Sequence, residues 1–116
     1  MRVLIVEDEA LIAQAIKGTV RAAGFDIAGI VPTVEAAFAF LASSSCDAAI
    51  LDVNLRGASV EPVAAELVSR RIPFLGLTGY GMSHQPPSFK GQRVLAKPFD
   101  LDTLISALQG LDRPTE

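Results

Sequence analysis

The chain has 116 residues, half of them hydrophobic, which suits one domain whose core is covered on both faces. The net charge of −3, with scattered basic residues, gives little support to nucleic-acid binding, and the single cysteine excludes a disulfide framework. No run reaches the roughly 18 apolar residues of a membrane span, so we expect one soluble, cytoplasmic domain over residues 1–116 with no membrane or direct nucleic-acid partner.

Five short runs rich in apolar and β-branched residues predict five β-strands. They are RVLIV (2–6), FDIAGIV (25–31), DAAIL (47–51), IPFLGLT (72–78) and RVLAK (93–97). Helical spacing of apolar residues separates most of these runs, and strands that alternate with helices favour parallel pairing. The sequence therefore predicts an α/β fold built on an open, doubly wound, five-stranded parallel sheet with helices on both faces.

Four helices are predicted by apolar spacing and by signals at their ends. Thr33 is suited to cap the second helix, and Pro62 falls in the first turn of the third, where its missing N–H removes no intrahelical bond. Gly24 follows the first helix, where a C′ glycine is common. The expected buried faces are Ile12, Ile16, Val20 and Ala23; Val34, Phe38 and Leu41; Val60, Ala64, Leu67 and Val68; and Leu101, Leu104, Ile105, Leu108 and Leu111.

One interval lacks the helix that this alternation requires. Residues 80–92, YGMSHQPPSFKGQ, contain adjacent prolines and two glycines and show no apolar periodicity. We therefore predict a loop or a broken turn where the fourth of five helices would lie. His84 in this interval has no cysteine or second histidine nearby, so we interpret it as a solvated loop residue.

Polar residues stand at the carboxyl ends of four predicted strands, where ligands bind in open parallel sheets. An acid at one strand end is usually a solvated residue or a helix cap, but residues that end four strands converge on one edge. These residues are Glu7 and Asp8 after the first strand, Asp52 after the third, Thr78 at the end of the fourth and Lys97 at the end of the fifth.

Three carboxylates that share a site repel one another, and a hard divalent cation removes that repulsion. Mg²⁺ prefers carboxylate and carbonyl oxygens and usually serves phosphate chemistry, so the acids predict a Mg²⁺ site. A carboxylate beside the ion can attack a phosphoryl group, while Thr78 and Lys97 can stabilise its charge. A calcium loop that starts at Asp52 is rejected, because its twelfth position is Val63 rather than glutamate.

The segments VLIVEDEALIA, AAILDVNL, LTGYG and VLAKPF together resemble the receiver domain of two-component response regulators over nearly the whole chain. The resemblance implies a flavodoxin-like fold with strand order 2-1-3-4-5. Receivers commonly have a cis bond between this lysine and proline, so the resemblance also implies a cis Lys97–Pro98 peptide bond.

The resemblance assigns roles to the residues at the strand ends. Asp52 would be the phosphoacceptor, and the protein would catalyse its own phosphorylation and dephosphorylation rather than act as a conventional enzyme. Mg²⁺ would be held by Glu7, Asp8, Asp52 and the backbone carbonyl of Asn54, and the phosphoryl group would be contacted by Thr78 and Lys97.

Two features depart from the usual receiver pattern. Many receivers carry Tyr or Phe three residues before the lysine as an aromatic switch, whereas this chain has Val94. The missing fourth helix is the second departure. Both are shared by FAT GUY receivers, whose fourth strand is similar to PFLGLTGY (73–80) and which pair with histidine kinases of the HWE or HisKA2 type. We therefore predict that Tyr80 and residues 80–92 take over the signalling role, with Val94 and Pro98 as further switch positions.

The leading interpretation is a stand-alone receiver of full length. It would accept a phosphoryl group from a histidine kinase or a histidine phosphotransfer protein and then change its affinity for a downstream protein partner in a phosphorelay. A receiver fragment of a longer regulator and a docking module independent of phosphorylation are the alternatives. A Mg²⁺-dependent phosphatase is disfavoured, because position 54 is asparagine where such enzymes carry a second acid.

Overall fold

The computed structural model describes residues 1–79 and 86–111. Within these ranges a 3₁₀ turn covers Pro87–Phe89, and no helix combines the length and the apolar character needed to cross a bilayer. The other elements are β1 (Arg2–Val6), α1 (Ala10–Ala22), β2 (Asp26–Val31), α2 (Val34–Ser43), β3 (Ala48–Asp52), β4 (Asn54–Leu55), β5 (Ala58–Ser59), α3 (Glu61–Ser69), β6 (Phe74–Thr78), β7 (Val94–Ala96) and α4 (Leu101–Leu111).

The five longer strands form one parallel sheet in the order β2-β1-β3-β6-β7. Strands β4 and β5 form a separate antiparallel hairpin after β3, so β6 and β7 are the fourth and fifth strands of the main sheet. The order therefore confirms the prediction of 2-1-3-4-5. Strands β1 and β3 are neighbours, with Val6 opposite Leu51. The residues that follow β1 therefore emerge beside the end of β3.

Both faces of the sheet are covered, and the central strands β3 and β6 are buried at every residue. Successive residues of a strand point to opposite faces, so β1 contributes Leu4 to one core cluster and Ile5 to the other. Residues of α2 and α3 pack in the first cluster, and residues of α1 and α4 pack in the second. This two-sided burial accounts for the high hydrophobic content of so short a chain.

The predicted signals at the helix ends agree with the structure. The hydroxyl of Thr33 accepts a 3.0 Å hydrogen bond from the N–H of Ala36, and Gly24 follows α1 with a φ of 93°, a left-handed conformation that glycine adopts without strain. Pro62 lies in the first turn of α3, as expected. That helix begins at Glu61.

Three residues predicted on buried helix faces are exposed instead. Phe38, Val68 and Leu101 have exposed fractions of 37, 50 and 51%. In α2 the aromatic residue against the sheet is Phe40, whose ring lies 3.2 Å from the position of a Cβ added at Gly29. Because α2 is apolar on several sides, its sequence does not show which phenylalanine meets the sheet.

The segment between β6 and β7 breaks the alternation, as predicted. Among its described residues, 79 and 86–93, the 3₁₀ turn over Pro87–Phe89 is the sole helical element. The predictions for Tyr80 and His84 fall outside the described residues. The described part thus agrees with a short or missing fourth helix.

Phe89 anchors this segment in the core. Its side chain is 3% exposed and meets the ring of Phe74 edge to face, with centroids 5.1 Å apart and an interplanar angle of 78°. A Cβ added at Gly76 would lie 2.5 Å from Cε2 of Phe89 and 3.3 Å from Cγ2 of Val94. The glycine is therefore required because the phenyl ring occupies the space above β6.

Glu61 holds the same segment from the start of α3. Its Oε1 accepts a 2.9 Å hydrogen bond from the N–H of Ser88, and its Oε2 accepts a 2.5 Å bond from the Ser88 hydroxyl. The 3₁₀ turn is thus fixed at two points, by the Phe89 ring in the core and by the Glu61 carboxylate at its surface.

We expect Gly76→Ala to lower the free energy of unfolding by about 1–3 kcal/mol, because the added methyl overlaps the Phe89 ring. In a Phe89→Ala background the same change should lower the free energy of unfolding by much less, because the ring is no longer there to be overlapped. Urea denaturation measures both effects. Gly110→Ala is the control, since no atom lies within 4 Å of its added Cβ in α4. Equal costs of Gly76→Ala in both backgrounds would contradict this packing.

Candidate functional site

The polar residues predicted at the strand ends meet at one edge of the sheet. Glu7 and Asp8 follow β1, and Asp52 ends β3. One carboxylate oxygen from each of these three acids lies within 4.8 Å of the other two. Thr78 ends β6 and Lys97 follows β7, so the order of the strands brings all five residues to the same edge.

Most of this site is withdrawn from solvent. Glu7 and Asp52 are 2% and 4% exposed, and Thr78 is 7% exposed. The side chain of Asp8 is 11% exposed. Charged groups at such depth need partners, because water no longer screens them.

Lys97 supplies a positive charge to two of the acids. Its Nζ donates hydrogen bonds to Oε1 of Glu7 at 3.1 Å and to Oδ2 of Asp52 at 3.2 Å. Burial on its own would lower the pKa of Lys97, but the hydrogen bond to Glu7 and the charge of Asp52 outweigh it and raise that pKa. The lysine therefore stays protonated between the two carboxylates.

The buried position of Glu7 opposes the ionisation of its carboxyl group. Burial raises the pKa of Glu7 from 4.5 to about 7, and its interaction with Asp52 acts in the same direction. Hydrogen bonds from the backbone of Glu9 and from Lys97 lower the pKa of Glu7 without compensating. One ammonium group does not balance these carboxylates, so the donor set fits a hard divalent cation such as Mg²⁺.

Asn54 lies directly after the strand that carries Asp52. Its backbone N–H donates a 3.2 Å hydrogen bond to Oδ1 of Asp52. Its side-chain oxygen accepts a 2.7 Å bond from the N–H of Gly57 and closes the β4–β5 hairpin. The two oxygens of Asp52 thus have different partners, a backbone amide on one side and Lys97 on the other.

Thr78 and the residues after β7 complete the edge. The Thr78 hydroxyl makes a long, 3.4 Å bond to the carbonyl of Gly79, so little energy opposes its rotation towards a new acceptor. The Thr78 carbonyl accepts a 2.8 Å bond from the N–H of Lys97. The Lys97–Pro98 peptide bond is cis, as the resemblance implied, and Val94 pairs with Gly76 in the sheet.

Sequence reasoning missed one charged residue of the site. The guanidinium Nε of Arg56, in the turn of the β4–β5 hairpin, lies 3.4 Å from Oδ2 of Asp8. The signal was present in NLRGAS (54–59), because a two-residue turn with glycine second is typical of a tight hairpin.

An exposed apolar groove of about 580 Å³ opens beside Lys97, and its lining includes Leu11, Pro98, Phe99 and Leu101. The Leu11 side chain is 88% exposed at the start of α1, and Leu101 is 51% exposed at the start of α4. Apolar side chains that cluster on a surface commonly mark contact with another macromolecule.

The sequence matches the model of the response regulator receiver domain family over residues 3–109. The chain belongs to this family. The receiver is 30% identical over 112 residues to the transcriptional regulatory protein PdtaR of Mycobacterium tuberculosis, a match that covers 93% of the chain and 55% of PdtaR. The chain thus spans about half the length of the curated relatives that it matches.

Solved structures agree with the receiver fold. The solution structure of SdrG from Sphingomonas melonis Fr1 is 40% identical, with a TM-score of 0.85 and 97% coverage of both chains. The receiver domain of the response regulator PhyR from Erythrobacter litoralis is 26% identical, with a TM-score of 0.80 and coverage of 99% of this chain and 95% of that one. Both are FAT GUY-like receivers, in agreement with the predicted subfamily.

The pKa of Glu7 predicts an unusual pH dependence of stability in the absence of Mg²⁺. The folded receiver keeps a proton on Glu7 up to a pH of about 7, whereas the unfolded chain loses it near the ordinary value of 4.5. The folded state therefore binds more protons in this interval, and raising the pH favours unfolding. We expect this residue to lower the free energy of unfolding by up to about 1.4 kcal/mol per pH unit.

Urea denaturation at pH 5, 6, 7 and 8 measures this effect. Glu7→Gln is the control, because glutamine has a similar shape and does not titrate. The wild type should become progressively less stable than the variant as the pH rises to about 7, and the difference in unfolding free energy should then level off. Parallel pH profiles would show that Glu7 titrates normally.

Proposed function

We propose that this receiver takes a phosphoryl group from the phosphohistidine of a histidine kinase, or of a histidine phosphotransfer protein, onto Asp52 and so switches the binding of a downstream protein. The observation that carries the proposal is the environment of Asp52. Its buried carboxylate ends a central parallel strand, bonds to Lys97 and lies within 4.8 Å of two further acids. The family and its FAT GUY-like structural neighbours support the same chemistry.

Asp52 acts as the nucleophile. One of its oxygens forms a bond to phosphorus, the N–P bond of the donor breaks, and the electron pair of that bond stays on the imidazole nitrogen. Attack through Oδ2 requires Lys97 to release that oxygen, after which its ammonium group can bind the oxygens of the transferred phosphoryl group. Water later hydrolyses the acyl phosphate, so the protein is a phosphoacceptor that is restored after each cycle.

Glu7, Asp8, Asp52 and the backbone carbonyl of Asn54 would hold Mg²⁺. When bound, the ion would offset the repulsion between these acids and the incoming phosphoryl group. The Asn54 N–H keeps its hydrogen bond to Oδ1 of Asp52 and so orients the carboxylate within the site.

The switch is proposed to begin at Thr78 and to run into the segment after β6. The weakly held Thr78 hydroxyl can turn to the new phosphoryl oxygens and draw Gly79 with it. Tyr80 and the following residues would carry this change, since the far end of the segment is fixed by Glu61 and Phe89. Val94 and Pro98, which flank Lys97, are proposed as further positions that respond.

The apolar groove beside Lys97 is proposed to receive the phosphohistidine-bearing domain of the donor. It is continuous with the site through Lys97, so a domain seated on Leu11 and Leu101 would hold its histidine close to Asp52. The similarity to SdrG and PhyR supports a donor of the HWE or HisKA2 type. We propose a cytoplasmic receiver, and the receiver portion of a longer regulator would use the same chemistry.

We expect intact-protein mass spectrometry to detect a phosphoryl adduct after incubation with Mg²⁺ and acetyl phosphate. The adduct should be absent from Asp52→Asn and from samples treated with a chelator. Asp26→Asn, which removes an exposed acid at the amino end of β2, should be labelled like the wild type. A wild type left unlabelled by both acetyl phosphate and a histidine kinase would favour the docking module that works without phosphorylation.

We expect Leu11→Asp to slow phosphotransfer from the kinase by about tenfold or more, since it places a charge in the proposed contact. Labelling by acetyl phosphate should be unchanged, because that small donor needs no protein contact. Radiolabelled transfer from a histidine kinase that phosphorylates the wild type measures the rate. Val68→Asp, a change at another exposed apolar residue, is the control, and equal rates in the two variants would refute this docking site.

A further inference from the structure

The hairpin that follows Asp52 holds an arginine in an unusual backbone conformation. Strands β4 and β5 pair through Asn54–Ser59 and Leu55–Ala58. Their two-residue turn consists of Arg56 and Gly57, with φ values of 51° and 85°. Turns of this kind favour Asn, Asp or Gly at both positions, so arginine at the first one is held in the left-handed region at a cost in energy.

The backbone around Arg56 is fixed, and the turn lies beside the acids. The side chain of Asn54 accepts a 2.7 Å bond from the N–H of Gly57, and the N–H of Asn54 is bonded to Asp52. From this position the guanidinium group reaches Asp8, with 3.4 Å between Nε and Oδ2. A side chain in a strained turn that meets a site acid is a candidate for function rather than a chance surface contact.

All three acids of the site therefore have a cationic partner. Lys97 bonds to Glu7 and Asp52, and Arg56 pairs with Asp8. A divalent cation that used Asp8 as a ligand would share its carboxylate with the guanidinium group of Arg56. The two positive charges repel each other across one carboxylate, so binding of the metal and the Arg56–Asp8 pair oppose each other.

We propose that Arg56 is a resident counter-cation of this site, which pairs with Asp8 until Mg²⁺ displaces it and thereby sets how tightly the receiver holds Mg²⁺. The inference rests on the proposed function for the identity of the metal. The Arg56 side chain is 76% exposed, whereas that of Lys97 is 19% exposed. The Arg56 side chain can thus move fully into solvent with little loss of interaction energy, which suits it to be displaced by an ion.

Mg²⁺ titration of the unphosphorylated receiver, followed by the amide NMR shifts of Asp8 and Asn54, tests this inference without relying on phosphorylation. Arg56→Gln removes the charge and leaves a shorter, neutral polar side chain on the strained turn. We expect it to tighten Mg²⁺ binding about two- to fivefold at low salt, the range for an exposed ion pair. The ratio of the two affinities should approach one at high salt, where exposed charges are screened. Arg56→Lys, which keeps the charge, should bind Mg²⁺ nearly as the wild type does.

Arg71 provides a matched control. It is an exposed arginine with a φ of 59°, and it precedes β6 at the opposite edge of the sheet. Arg71→Gln removes the same charge from a similar backbone. We expect it to leave Mg²⁺ affinity within about 1.5-fold of the wild type, because salt and water screen the interaction between Arg71 and the distant site. An equal increase in Mg²⁺ affinity in both glutamine variants would mean that the effect comes from the net charge of the protein, and it would overturn the role of Arg56.

The remaining outcomes separate this inference from the proposed function. If the wild type binds Mg²⁺ and Arg56→Gln binds it equally tightly or more weakly, the counter-cation role is refuted and the proposed site is left intact. Absence of Mg²⁺-dependent shifts in the wild type and in both glutamine variants would overturn both.

Discussion

The mutual repulsion of three carboxylates at one edge of the sheet is the constraint on which the rest of this receiver depends. Two like charges 4.8 Å apart repel by roughly 3 kcal/mol at an effective dielectric constant of about 20. The acids stay together because β1 and β3 are hydrogen-bonded neighbours inside a sheet that is buried on both faces. The apolar core thus holds charges that would separate in a flexible chain. Lys97 and Arg56 offset part of the repulsion, while burial, together with the interaction with Asp52, raises the pKa of Glu7.

Hydrogen bonds of the site also connect the ends of β6 and β7. Thr78 belongs to β6, and its carbonyl is bonded to the N–H of Lys97, so the two strand ends are held in register. Gly79 follows β6 at the site, and the 3₁₀ turn over Pro87–Phe89 is fixed by the Glu61 carboxylate and by the burial of Phe89. Both α3 and the core thus hold the described part of the chain that precedes β7.

Sequence reasoning predicted the parts of the molecule that follow from periodicity. Five apolar runs predicted the five longer strands, and the rule that ligands lie beyond strand ends predicted that Glu7, Asp52 and Lys97 meet at one edge. Among the described residues between β6 and β7, the lack of a full helix also agrees with the prediction, because prolines and glycines have local effects on the backbone that sequence shows directly. These conclusions follow from local sequence patterns and from one general rule about where parallel strands end.

What was missed depends on contacts between residues far apart in the chain. The choice of Phe40 over Phe38 follows from the space above Gly29, and the bond between Glu61 and Ser88 joins residues 27 positions apart. Arg56 was overlooked because its importance comes from its distance to Asp8 across two elements. Sequence patterns carry little information on such pairs, since many side chains at those positions would preserve the periodicity.

The crowding above Gly76 also bears on how receivers of this type could have diverged. Phe89 and Val94 converge on the volume that a side chain at position 76 would need. An aromatic ring at position 94 would compete with the Phe89 ring for that volume, so the usual aromatic switch and the Phe89 anchor exclude each other. Positions 76, 89 and 94 should therefore covary among homologues, with a bulky residue at position 94 accompanied by loss of the phenylalanine at position 89. A single aromatic substitution at position 94 would therefore crowd the Phe89 ring unless position 89 also changed.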